Sequence, residues 1–153
     1  MGSPPVRIAD ALAGVTKLGL DTSPFIYFIE ANPTYVVVCR EVFRRISAGR
    51  PVGYTSLLTL VETLVHTLRN ADTVLEDQYR ALLLGTTGII SLPLDAVTAR
   101  GAAELRARYG LRTPDAVQVA TAINAGCQAF LTNDGGLRWV NELRVLVLDD
   151  LAV

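Results

Sequence analysis

Short, almost wholly apolar runs alternate along the chain with longer segments in which apolar positions recur every three or four residues. The runs VTKLGL (15–20), VGYT (52–55), GIISLPL (88–94), CQAFLT (127–132) and RVLVL (144–148) show little polar face, so they predict strands covered on both sides. Helical spacing predicts helices over 22–30, 32–49, 56–69, 73–85, 95–109 and 113–125, with a helical turn or two over 135–141. Gly49 and Pro51 stop the second of these, and Gly126 stops the last long one. An amphipathic piece, RIADALAG, precedes the first strand.

Strands of this kind separated by helices predict an α/β fold, a three-layer αβα sandwich around a mostly parallel central sheet. Residues 1–14 read as an N-terminal extension and 15–153 as a single domain, long enough to bury a real core. Such sheets place ligands at the carboxyl ends of their strands. That rule turns the sequence into a map. Asp21 directly follows the first strand, and Asp134 follows CQAFLT. The helix over 113–125 must start near the same edge to feed the next strand, which brings Asp115 there. The helix after VGYT leaves that edge, and Glu62 lies about 9 Å along its axis.

Taken singly, each acid has an ordinary reading. Asp21 caps the short helix after it, and Asp115 occupies a first turn where the helix dipole favours acids. Asp134 caps the next turn or pairs with Arg138 four residues on. Glu62 flanks a stripe read as Leu58, Val61 and Val65. Taken together, four carboxylates at one edge repel one another and raise some of their pKa values unless a cation joins them. Oxygen donors without histidine suit Mg2+ or Mn2+ rather than zinc. Such ions polarise phosphoryl oxygens and activate water. Thr132, just before Asn133 and Asp134, is placed to fix a carboxylate through its hydroxyl.

Composition narrows the options further. A formal net charge of -1 argues against the electrostatic grip of a strongly basic duplex-binding domain. Every basic residue except Lys17 is arginine. Arg112, three residues before Asp115, reads either as an RNA-phosphate contact or as a solvated loop charge, and Arg138 as a partner of Asp134 or Glu142. His66 is the only histidine, which excludes a metal-free mechanism using two of them. No GxGxxG turn is present for a dinucleotide. Ser23 stands where a haloacid-dehalogenase-type phosphatase needs its second aspartate. Cys39 and Cys127 form no CxxC and read as free thiols in a reducing cytoplasm. No apolar run reaches the roughly 18 residues of a membrane span. Tyr27, Phe28, Tyr35 and Phe43 recur at helical spacing and read as core or dimer interface. Asp95 reads as a helix cap, and Asp149 and Asp150 as terminal acids of which one could extend the site.

The ordered set LGLDTSPFIYFIE, TSLLTLVETLVH, RTPDAVQVATAI and AFLTNDGGLRWV resembles the PIN-domain ribonucleases, in particular the VapC-type toxins of bacterial toxin–antitoxin pairs. The resemblance covers about residues 15 to 150. By position it implies Asp21, Glu62, Asp115 and Asp134 as the catalytic acids. Asp21, Asp115 and Asp134 would hold the ion, Mg2+ or Mn2+, while Glu62 completes the site or orients water. Thr132 and Asn133 would be supporting residues. It further implies cleavage of single-stranded RNA by metal-activated water, leaving a 5′-phosphate and a 3′-hydroxyl. Homodimers and an antitoxin that inserts a segment into the groove are the implied protein partners. Gly135, Gly136, Leu137 and Trp139 depart from the charged residue and phenylalanine of many relatives. The competing expectation is a catalytically weak PIN-like module that binds RNA or protein.

Overall fold

Five short strands, β2 (Lys17–Leu20), β3 (Val52–Ser56), β4 (Ile89–Leu92), β5 (Ala129–Thr132) and β6 (Arg144–Val147), form one sheet in the order β4-β3-β2-β5-β6. Every pairing in it is parallel. This is a computed structural model, and it describes residues 2–153. Parallel neighbours require crossover connections, and these are helical: α2 (Thr22–Ile29), α3 (Val36–Ser47), α4 (Leu58–Arg69), α5 (Thr73–Gly85), α6 (Ala96–Tyr109) and α7 (Thr113–Asn124). The α/β sandwich expected from the sequence is therefore the observed fold.

Alternation along the strands divides the core in two. Leu18, Leu20, Ala129 and Leu131 meet Phe25, Val42, Phe43, Ile46 and Leu83 from α2, α3 and α5 on one face. Phe130 and Val145 meet Leu105, Ala116, Val119 and Ala120 from α6 and α7 on the other. Register explains why the middle strand contains a glycine. Gly19 lies between Tyr54 and Phe130 on the α7 side. A Cβ there would come within 2.5 Å of the Ala122 Cβ and 2.9 Å of the Phe130 ring. Only a residue without a side chain lets α7 lie this close to the sheet. The approach is tight enough that Ala116 through Ala122 are all buried.

Three local differences from the sequence reading have physical causes. Residues read as an N-terminal extension supply β1 (Val6–Arg7) and α1 (Ile8–Ala11). β1 pairs in parallel with β7 (Leu151–Ala152), and Ile8, Ala11 and Leu12 are buried in the first core. Strands this short carry no period for a sequence pattern to reveal. The buried stripe of α4 is Thr59, Thr63 and Thr67, while Val61 is 64% exposed. Threonine tolerates that burial because Thr63 and Thr67 donate their hydroxyls to carbonyls of their own helix. Finally, the helix expected over 32–49 begins at Val36, after a turn in which Asn32 Oδ1 accepts from Thr34 N and Tyr35 N. No helix among the described residues is long and apolar enough to cross a membrane.

Candidate active site

Strand order reverses at β2, which the chain leaves for β3 on one side and regains at β5 on the other only after two further strand–helix units. The carboxyl ends of β2 and β5 thus flank the crevice where sheets of this kind bind ligands. Asp21 leaves β2 with its backbone N–H donated to Leu131 O at 2.9 Å, so the acid sits beside the end of β5. It caps α2, Oδ1 accepting from Thr22 N at 2.8 Å. Its Oδ2 accepts from Thr132 Oγ1 at 2.7 Å. The same buried hydroxyl accepts from Asp134 N at 3.0 Å. One threonine side chain therefore ties the acid after β2 to the backbone of the acid after β5.

The other acids arrive from two helices. Glu62 projects from the second turn of α4, and its Oε1 accepts from Thr22 Oγ1 at 2.8 Å. Asp115 lies in the first turn of α7, just after Pro114, with Oδ2 accepting from Arg112 Nε at 3.1 Å. Asp134 caps the 3-10 turn Gly135–Trp139 through Gly136 N at 2.9 Å. Asp21, Glu62, Asp115 and Asp134 line a single pocket of about 440 Å³, together with Thr22, Tyr27, Arg112 and Asn133. Asn133 donates Nδ2 to Tyr27 OH at 3.1 Å, and its Oδ1 is buried without a hydrogen-bond partner.

Electrostatics follow from this layout. Burial pushes the Asp21 carboxyl above the ordinary carboxylate range; the hydrogen bonds from Thr132 and Thr22 pull it back, and the charges of Asp115 and Glu62 push it up again. A cation in the pocket would reverse the effect of those neighbours. The donors are exclusively hard oxygens, and Glu62 Oε2, Asp115 Oδ1 and Asp134 Oδ2 take no hydrogen bond among the described residues. The donor set therefore fits Mg2+ or Mn2+. It is not a preformed cage: among the described residues no three acidic, histidine or cysteine side chains are drawn into one cluster. Like charges share a pocket wall, and the Arg112 guanidinium already compensates one of them.

Beneath the acids lies a polar floor that sequence reasoning missed. Gln118, 1% exposed, donates Nε2 to Thr59 Oγ1 at 2.7 Å and to Thr22 Oγ1 at 3.4 Å, and accepts from Ser56 N at 3.3 Å. Thr55 Oγ1 lies 2.8 Å from Thr59 Oγ1 and donates to Leu20 O at 2.8 Å. The available signal was spacing: Gln118 is one turn after Asp115, and Thr59 one turn before Glu62.

Other expected residues lie elsewhere. Arg138 pairs with Asp150 at 2.9 Å, not with Asp134 or Glu142. Glu142 is engaged by Arg108 and Tyr109, because the chain turns away after the 3-10 helix and carries it toward the end of α6. Asp149 accepts from Tyr35 OH at 2.6 Å and does not line the pocket. His66 is exposed near the end of α4. Asp95 caps α6 through Thr98 N at 2.8 Å. Tyr27, Phe28, Tyr35 and Phe43 pack in or against the first core, Tyr27 and Tyr35 stacked with centroids 4.6 Å apart.

The family model for the PIN domain matches residues 19–143. No curated protein matches the chain significantly in sequence. Among solved structures, a toxin-antitoxin complex from Klebsiella pneumoniae is similar at 22% identity and a TM-score of 0.64, covering 86% of this chain and 97% of that one. Mycobacterium tuberculosis VapC20, described as a sarcin-ricin loop cleaving toxin, is similar at 22% identity and 0.63, covering 84% and 98%. DNA-bound VapBC from Salmonella typhimurium is similar at 19% identity and 0.62, covering 88% and 98%.

Proposed function

The chain belongs to the PIN domain family, and from that premise we propose that it is a metal-dependent endoribonuclease of single-stranded RNA, acting as a VapC-type toxin. The observation that carries this reading is the pocket at the carboxyl edge of the sheet, lined by Asp21, Glu62, Asp115 and Asp134. Mg2+ or Mn2+, when bound, polarises a phosphoryl oxygen and makes water a competent nucleophile near neutral pH. Asp21, Asp115 and Asp134 would hold that ion, directly or through water, and Glu62 would complete the site or orient the attacking water. Thr132 keeps Asp21 fixed, and Asn133 shapes the wall beside Tyr27. Arg112, whose side chain is 78% exposed, would be free to reach an RNA phosphate once a cation compensated Asp115 in its place.

The products are a 5′-phosphate and a 3′-hydroxyl. The partners in this reading are single-stranded RNA, a second copy of the chain, and an antitoxin; the similarity to the toxin-antitoxin complexes supports the last of these. The test uses purified protein and a panel of single-stranded RNAs. Cleavage with Mn2+ or Mg2+, its loss in EDTA, and its loss in Asp21→Asn and Asp115→Asn are expected. In cells, expression arrests growth, and Asp115→Asn relieves the arrest. Tight Mn2+ binding with no RNA cut would instead leave the protein a binding module.

A further inference from the structure

The hydroxyls under the acid pocket have directions that can be worked out, and these single out one residue. Thr55 has one proton, and Leu20 O at 2.8 Å is a much closer acceptor for it than Gln118 Oε1 at 3.4 Å. Thr55 Oγ1 therefore accepts from Thr59, 2.8 Å away, and the proton of Thr59 is spent there. Thr59 lies 3.3 Å from Thr22 and would be a natural acceptor for the Thr22 proton. Gln118 Nε2 competes for that oxygen, donating to Thr59 at 2.7 Å, and it also donates more weakly to Thr22 at 3.4 Å. On its inner side Thr22 therefore meets an amide donor and a Thr59 hydroxyl that already accepts one, whereas the Glu62 carboxylate offers a charged acceptor. Its own proton is left to point outward, to Glu62 Oε1 at 2.8 Å.

We infer that Gln118 is a positioning residue for Glu62: by supplying amide protons to Thr59 and Thr22 it turns the Thr22 hydroxyl toward Glu62 and holds that carboxylate at the pocket wall. Gln118 itself lies beneath the pocket and does not line it. Glutamine is suited to the task because one neutral side chain supplies two donors and an acceptor. The acceptor is used as well, by Ser56 N at 3.3 Å, which ties the amide to the end of β3 and fixes which way it faces. All of these groups except Glu62 are buried, so a wrongly directed proton cannot be corrected by water.

The inference rests on the metal-dependent reading of the pocket, and the experiment separates the two. Mn2+ alone is titrated calorimetrically into metal-free protein: wild type, Gln118→Met, Glu62→Ala and the double variant. Methionine keeps length and volume but has no amide. Gln118→Met is expected to weaken Mn2+ binding about tenfold, the equivalent of about one lost hydrogen bond. In the Glu62→Ala background the same change is expected to have no further effect, because the group it positions is gone. Thr22→Val is expected to match Gln118→Met, and Thr22→Ser to match wild type. With RNA, Gln118→Met lowers kcat and leaves KM unchanged. Wild-type affinity in Gln118→Met, or an equal weakening with and without Glu62, overturns the inference while the nuclease reading stands. A wild-type protein that neither binds Mn2+ nor cuts RNA overturns both.

Discussion

Replacing Thr132 by valine removes a single hydroxyl at constant volume from a position that is 0% exposed. Two bonds disappear with it: the 2.7 Å donation to Asp21 Oδ2 and the 3.0 Å acceptance from Asp134 N. A hydrogen bond to a charged group contributes about 1.5–3 kcal/mol, and an unpaired buried N–H costs about 1–3 kcal/mol. Some of the second loss is recovered by solvent, since Asp134 is exposed. A destabilisation of about 3 kcal/mol near pH 7 is expected. Its pH dependence is the sharper test. The folded-state pKa of Asp21 already lies above its unfolded value, chiefly through burial. The native state then holds the proton more tightly than the unfolded chain, so ionising Asp21 subtracts stability as pH rises from the ordinary 3.8 through the raised value. Without the Thr132 donor the pKa rises further, and this loss grows. Below the unfolded value Asp21 is protonated in both states, and only the neutral part of the interaction, about 1 kcal/mol, remains. Urea unfolding of wild type and Thr132→Val in EDTA, across pH 3.5 to 7, measures the difference directly. Thr132→Ser should track wild type. A penalty that is the same at both ends of the range would show that the hydroxyl does not support the charged form of Asp21, and the reasoning would fail.

Two further outcomes are expected. Gly19→Ala should destabilise the fold by about 3 kcal/mol or more, since its Cβ would meet the Ala122 Cβ at 2.5 Å and the Phe130 ring at 2.9 Å; thermal unfolding reads this, and Ala122→Gly should recover part of it. Removing divalent ions with EDTA should abolish cleavage without unfolding the protein, because each acid already has a partner within the chain; loss of the helical circular dichroism signal in EDTA would contradict this.

What the sequence made legible, and what it hid, follows from the physics of each signal. Strands buried on both faces announce themselves as apolar runs, so β2, β3, β4, β5 and β6 were placed, and with them the edge to which Asp21 and Asp134 belong. Asp115 was placed by topology, since the helix entering β5 must begin at that edge. α4 was oriented differently because valine and leucine outrank threonine on any hydrophobic count. In the structure Thr59, Thr63 and Thr67 face inward, their hydroxyls satisfied locally or in the floor of the site. The Gln118 network was hidden for a related reason. It is assembled from β3, α2, α4 and α7, and no spacing within one segment predicts that four neutral polar groups will meet. The Arg138–Asp150 pair likewise depends on how two loops fold back on each other.

The partners of the four acids also explain how the pocket exists before any cation arrives. Gathering like charges in a partly buried crevice is costly, and each carboxylate has at least one donor of its own to offset it. Asp21 has a backbone amide and a buried hydroxyl, Glu62 a hydroxyl, and Asp134 a backbone amide. These donors are fixed by secondary structure or by the polar floor. Asp115 alone is held by a full positive charge on a long, largely exposed side chain. A divalent cation in the pocket would therefore displace little: Asp115 would exchange Arg112 for it, while Asp21, Glu62 and Asp134 would keep their present donors. A guanidinium released in that exchange would still line the same pocket, where the proposed reading gives it an RNA phosphate as its new partner. On the proposed nuclease reading, metal uptake and RNA capture would thus be coupled through Arg112, whose only ion pair among the described residues is with Asp115.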